Sequence, residues 1–163
     1  MVLVPYLAGE RTPNRPEASG SLHGIRPDVT PALVARAAFE GVVCGLLDGV
    51  DALAAAGVPR SAGRTIVLGG GAASAAYTGV LAGLSGRPVS VAGSAEPVAR
   101  GAGILAATVA PMVPSGVASV IDAWNSEAGT TVAPGLDPEQ AEAIRRRYAV
   151  ASAQDEGSGA PPR

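Results

Sequence analysis

A chain of 163 residues with a formal net charge of −2 and no basic stripe has the size of one domain, and its charge argues against nucleic acid as its main partner. All 12 basic residues are arginine, and the absence of lysine excludes a Walker-type phosphate lysine, a Schiff base and a pyridoxal phosphate anchor. Cys44 and His23 are each the only residue of their type, which rules out an internal disulfide and a structural zinc site.

Hydrophobic residues make up 47% of the chain but aromatics only 3%, so the core has to be built from Ala, Val and Leu. Cys44 lies in an apolar helical run and reads as a buried, inert thiol. Met1-Val2-Leu3-Val4-Pro5 lacks a basic start, and the later apolar stretches are broken by Gly, Pro or Arg100. Neither a signal peptide nor a membrane span is expected, and the chain reads as cytoplasmic.

Val2 to Tyr6 reads as a short strand, followed by a polar loop from Leu7 to Pro16 that is dense in Pro and Gly. Ser21 to Ile25 reads as a second strand. Thr30-Pro31 is a helix start, an N-cap ahead of a proline at the first helical position, and the helix should run to about Ala56 and stop at Gly57. At about 100° per residue, Arg36, Glu40, Asp48 and Asp51 share one stripe. The remaining circumference is mostly apolar, which predicts a largely buried helix. Gly41, Gly45 and Gly49 recur on the face away from those charges. Each costs about 1 kcal/mol relative to alanine, so a neighbouring backbone or a ligand should pack very close there.

The densest signal spans residues 65 to 76. Thr65-Ile66-Val67-Leu68 is a β-branched run, Gly69-Gly70-Gly71 a tight turn, and Ala72-Ala73-Ser74-Ala75-Ala76 leads into a helix expected over about Ala73 to Leu84. Glycine lets a backbone approach a ligand closely, and the free amides of a helix start favour a phosphate or a polar nucleotide edge. The plainer alternative is a strand-to-helix corner with no ligand. Pro88 to Val91 reads as a strand, and Glu96-Pro97 opens a helix reaching Ala110, whose Gly101 and Gly103 predict tight packing against the sheet. The helix–strand–helix–strand–helix rhythm is that of an α/β fold. From Val113 the pattern weakens. Asp137-Pro138-Glu139-Gln140 then marks a capped helix, with Arg145, Arg146 and Arg147 expected on a solvated face. The domain is expected over residues 1–150, with a disordered tail over 151–163.

Four segments, in this order, resemble the C-terminal domain of the FGGY family of carbohydrate kinases, and xylulokinases in particular. They are Pro5-Tyr6-Leu7-Ala8-Gly9-Glu10-Arg11-Thr12-Pro13; Gly20-Ser21-Leu22-His23-Gly24-Ile25 with the later Ala37-Ala38-Phe39-Glu40-Gly41; Leu68-Gly69-Gly70-Gly71-Ala72; and Glu96-Pro97-Val98-Ala99-Arg100-Gly101-Ala102. Leu33 departs from the family pattern, which usually has a polar residue there. The resemblance implies ATP-dependent phosphorylation of a sugar, D-xylulose foremost, with Mg²⁺. It also implies a partial actin-like (ribonuclease-H-like) α/β domain, a mixed sheet with flanking helices, whose partner domain holds the sugar. On the same ground Gly69, Gly70, Gly71, Ala72 and Ser74 belong to the nucleotide site, with Gly70 and Gly71 nearest the adenosine.

In the family the catalytic base is an aspartate of the N-terminal domain, and no segment here matches that region. Glu10, Asp28 and Asp48 have nothing in their spacing to support such a role, so no catalytic residue is assigned. An intact family domain carries several strands before the position of Val2, so the chain reads as the later two-thirds or so of a nucleotide domain. It would then be a piece of a kinase that binds nucleotide without turning over alone. The other reading is a non-catalytic module that pairs with a separate N-terminal half, or with a copy of itself.

Overall fold

A computed structural model describes residues 1–59, 63–93, 96–109, 116–124 and 129–154 of the chain. Val2–Val4 (β1) and Ser21–His23 (β2) pair antiparallel with Leu3 opposite Leu22. Pro31–Ala55 forms α1, where Thr30 Oγ1 accepts the Leu33 N–H at 3.3 Å and Pro31 sits in the first turn, whose N–H would have no helical partner anyway. Thr65–Val67 (β3) leads through a 3₁₀ turn at Gly70–Ala73 into Ala75–Ser85 (α2), which ends on Gly86 in the left-handed region at φ +65°. Val89–Val91 (β4), Pro97–Thr108 (α3), Gly116–Trp124 (α4), Thr130–Val132 (β5) and Pro138–Gln154 (α5) complete the order.

The fold is α/β, with a mixed sheet ordered β3-β4-β5: β3 runs parallel to β4, and β5 antiparallel to it. The β1–β2 pair is a separate two-stranded sheet. Both α4 and β5 fall where the sequence pattern weakens. Each is short and poorly anchored: α4 buries only Val120, and in β5 only Val132 is partly covered. Too few inward-facing residues were present to set a period.

Among the described residues, a core cluster joins Val4, Tyr6, Val43, Leu47, Leu81, Val89, Ile144 and Tyr148. Ala141, Ile144, Tyr148 and Ala151 lie at helical spacing and give α5 its buried stripe. The helix continues to Gln154 with Ala151 and Ser152 buried, so folded structure passes the boundary expected at 150. Residues 155–163 of the expected tail lie outside the described residues. The loop after β1 is tied to this helix: an Arg15 guanidinium nitrogen donates to the Ser152 carbonyl at 2.5 Å, and its carbon lies 5.6 Å from the centroid of the Tyr6 ring.

Three expectations are corrected. Helix α1 is buried on one side only, through Ala37, Gly41, Val43, Cys44 and Leu47, while Val42, Leu46, Val50 and Leu53 are exposed. Its packing partners β1, α2 and α5 cover the other flank, leaving an apolar ridge open. Of its glycines, Gly41 is pressed by the Leu3 carbonyl and Gly45 by the Tyr148 hydroxyl, but Gly49 has nothing within 4 Å of a would-be Cβ. Helix α3 packs on α4 rather than on the sheet: Gly103 faces the Trp124 ring, Gly101 faces open space, and the Arg100 guanidinium donates to the Trp124 carbonyl. The run of arginines is not uniformly solvated either. Arg145 turns inward to Asp51 at 2.6 Å and Asp48 at 3.7 Å, bridging α5 to α1, while Arg146 pairs at the surface with Glu142.

Candidate functional site

Parallel strands end side by side, and a crevice opens beyond their carboxyl ends where the chain turns into helices. Val67 and Val91 are paired, so β3 and β4 end level with each other, and the Ala92 N–H donates to the Val67 carbonyl at 3.4 Å. Past this point lies a cavity of about 670 Å³, within the size range of small-molecule sites. One wall is the turn Leu68, Gly69, Gly70, Ala72 and Ala73, and the other is Ala92 and Gly93 with Glu96, Pro97 and Val98 at the start of α3.

The turn owes its openness to glycine. Gly69 has φ +82° and ψ −169°, a conformation that side chains rarely adopt. A Cβ added to Gly70 would meet nothing within 4 Å, so the absence of a side chain leaves space rather than relieving a clash. The amides of Gly70 and Gly71 open the 3₁₀ turn and have no partner within it, whereas the Ala72 and Ser74 amides bond the Gly69 and Gly71 carbonyls at 3.0 and 3.1 Å.

Of the five residues assigned by resemblance, Gly69, Gly70 and Ala72 line the cavity together. Gly71 and Ser74 do not. Gly71 lies against the Tyr77 ring, which its missing Cβ would approach to 3.3 Å. Ser74 is the N-cap of α2, and its Oγ accepts the Tyr77 N–H at 3.2 Å. That cap uses one of the donors that an anion at this helix end would need, and no residue of α2 lines the cavity. The sequence reading did not assign a site role to the far wall of Ala92, Gly93, Glu96, Pro97 and Val98. Its signal was the second strand-then-helix junction at Glu96-Pro97, which only parallel pairing of β3 and β4 brings opposite the first.

Among the described residues that line the cavity, Glu96 is the one ionisable side chain. A carboxylate beside mostly apolar walls suits the uncharged nucleoside end of a nucleotide better than its anionic phosphates. Among the described residues, no three His, Cys, Asp or Glu side chains come together. None of the carboxylates considered as bases lines this cavity. Glu10 caps its own loop, its Oε1 accepting the Arg11 N–H at 2.7 Å, and Asp28 sits in the turn before α1. Asp48 is committed to Arg145, although burial, opposed by the Arg145 charge, raises its pKa.

The remaining nucleophile candidates are equally remote. Burial pushes the Cys44 thiol up to about 12, which keeps it protonated and inert. Ser21 Oγ and His23 Nε2 do meet at 2.7 Å, two residues apart on β2, but neither lines the cavity. No helix among the described residues is long and apolar enough to cross a membrane.

Comparison with known proteins agrees with this architecture. Residues 1–110 match the C-terminal domain of the FGGY family of carbohydrate kinases. Xylulose kinase of Streptomyces coelicolor is 40% identical over 129 residues, which are 79% of this chain and 26% of that protein. The chain therefore spans about a quarter of the length of this relative. The crystal structure of xylulose kinase from Rhodospirillum rubrum superimposes with a TM-score of 0.69 at 26% identity, covering 94% of this chain and 30% of that one. Plasmodium falciparum glycerol kinase, solved with ADP, shares the fold with a TM-score of 0.77 at 16% identity, over 94% of this chain and 30% of that one. The chain belongs to the FGGY family of carbohydrate kinases and corresponds to part of its C-terminal domain.

Proposed function

We propose that this chain is the nucleotide-binding portion of an ATP-dependent sugar kinase of xylulose kinase type, whose intact form converts D-xylulose and ATP to xylulose 5-phosphate and ADP. The observation that carries this reading is the glycine-walled crevice past β3 and β4, in a chain 40% identical to a xylulose kinase. Bound ATP supplies the phosphoryl group, taken by a sugar hydroxyl whose proton passes to a base outside this chain, leaving ADP. Here Gly69 and Gly70 admit the nucleoside against the backbone. The Gly70 amide is its donor. Pro97 and Val98 cover its other face and exclude water. A cytoplasmic setting, where ATP is available, belongs to the same reading.

Isothermal titration of the chain with ADP tests it. Saturable heat is expected, and Gly70→Val should weaken the affinity about tenfold or more by filling the crevice. Absence of heat at millimolar ADP would sink the reading. A second reading is a non-catalytic module that pairs with a separate N-terminal half, and the exposed apolar ridge of α1 favours it. Sugar phosphorylation by the two halves combined, compared with either alone, separates the two.

A further inference from the structure

The two strand-to-helix junctions that wall the crevice end differently. At the first, Ser74 caps α2, and its Oγ is engaged by the Tyr77 N–H at 3.2 Å. At the second, Glu96 stands in the same position ahead of α3, but its side chain makes no cap hydrogen bond. Ser, Thr, Asp and Asn are the side chains that cap well, and Glu is not among them. Pro97 follows at the first helical position and brings no N–H of its own. The start of α3 therefore gives the Glu96 side chain no role, yet this exposed carboxylate lines the cavity across from Gly69 and Gly70.

We propose that Glu96 selects the sugar of the nucleotide: its carboxylate accepts hydrogen bonds from the 2′- and 3′-hydroxyls of the ribose, while the base lies against Gly69 and Gly70. The assignment rests on the nucleotide reading of this crevice and goes beyond it by naming the atoms recognised on the α3 side. Three parts of a nucleotide could meet a carboxylate there. Phosphates are anions and would be repelled, and Pro97 removes one of the amides that could offset the repulsion. The pairing edge of adenine sets one donor, its amino group, beside an acceptor nitrogen, so one carboxylate oxygen would oppose a lone pair. The ribose diol presents two hydroxyl donors on adjacent carbons, which suits an ionised carboxylate because that group only accepts. Such charge-assisted bonds are about twice as strong as neutral ones. A carboxylate on the ribose hydroxyl is also how dinucleotide-binding folds recognise the same sugar.

The test is isothermal titration of the chain with ADP, 2′-deoxy-ADP, 3′-deoxy-ADP and GDP, in parallel with Glu96→Gln and Glu96→Ala. Because Glu96 is exposed and caps nothing, both variants should keep the thermal melt of the parent chain. Each deoxynucleotide should bind the parent chain about tenfold more weakly than ADP, through the loss of one charge-assisted bond at an exposed group. Glu96→Ala should weaken ADP by about tenfold or more and erase the difference between ADP and its deoxy forms, with Glu96→Gln in between. Equal affinities of the parent chain for ADP and both deoxy forms would overturn the proposal while leaving the nucleotide reading intact. So would a Glu96→Ala variant that weakens all three alike with their ratios unchanged, which is what a merely structural carboxylate would give. GDP bound more tightly than ADP, with that advantage lost in Glu96→Ala, would place the carboxylate on the base edge and also defeat the assignment. No heat with ADP would remove the nucleotide reading and the ribose assignment together.

Discussion

The contact between α1 and β1 and the turn after β3 both depend on glycine, but for opposite reasons. A Cβ at Gly41 would run into the Leu3 carbonyl, whereas a Cβ at Gly70 would meet nothing within 4 Å. At Gly41 the chain's own backbone occupies the space, so the requirement is set by folding alone. At Gly70 the space is left open, and folding alone gives no reason to keep it so. The surroundings differ in the same way: Val43, Cys44 and Tyr148 near the first glycine are almost fully buried, while α3 beside the second has no buried residue.

The comparison is broken most sharply at Gly41. Gly41→Val should destabilise the fold by about 3 kcal/mol, because the obstruction is backbone and cannot rotate away. A urea melt showing less than about 1 kcal/mol would mean that α1 and β1 shift freely, and the contrast with Gly70 would lose its basis. Next in size is the ion cluster that holds α5 to α1. Arg145→Met should cost about 1–2 kcal/mol by leaving Asp48 and Asp51 without their cation, a modest value because both carboxylates are more than a third exposed. Losing the same amount in 1 M salt as in low salt would argue that packing, not charge, is at work.

A pH series sharpens the same contrast on the buried side. An exposed thiol titrates near 9.0, while Cys44 in the fold is held protonated to about 12. Between these values the unfolded chain binds fewer protons than the folded one, so the contribution is fully present below pH 9 and declines as pH rises toward 12. The slope from Cys44 is at most about 1.4 kcal/mol per pH unit, giving a loss of about 1 kcal/mol near pH 10. Cys44→Ala should flatten that fall between pH 8 and 10, and equal slopes in the two proteins would show that the thiol is not sealed. Burial also raises the Tyr148 phenol, which adds its own decline at higher pH. The smallest effect on stability belongs to the turn. Gly70→Val should change the unfolding midpoint by less than about 0.5 kcal/mol while ADP affinity falls. The opposite pattern, lost stability with affinity unchanged, is what a purely structural corner would produce.

Where local chemistry fixes the backbone, the sequence was sufficient. Thr30-Pro31 set the start of α1, Gly86 set the end of α2, and Asp137, whose Oδ2 accepts the Glu139 N–H at 3.2 Å, set the start of α5. The open turn at Gly69 and Gly70 was legible for the same reason, since a run of residues without side chains constrains the neighbourhood directly. The role of Glu96 to Val98 was not legible, because nothing within that segment reveals which strand will lie beside β4. Nor was the inward turn of Arg145, whose partners stand 97 and 94 residues away in the chain.

Short-range pattern thus determined most of the elements, their caps and the α/β class, and the four ordered motifs carried the resemblance to the family. Tertiary structure alone decided which faces are covered: periodicity shows that α1 is apolar nearly all round, but only the placement of β1, α2 and α5 shows that one side of it is left open. The physical reason is that a helix's own sequence encodes its affinity for burial, while the surface that satisfies that affinity comes from residues distant in the chain or from another polypeptide.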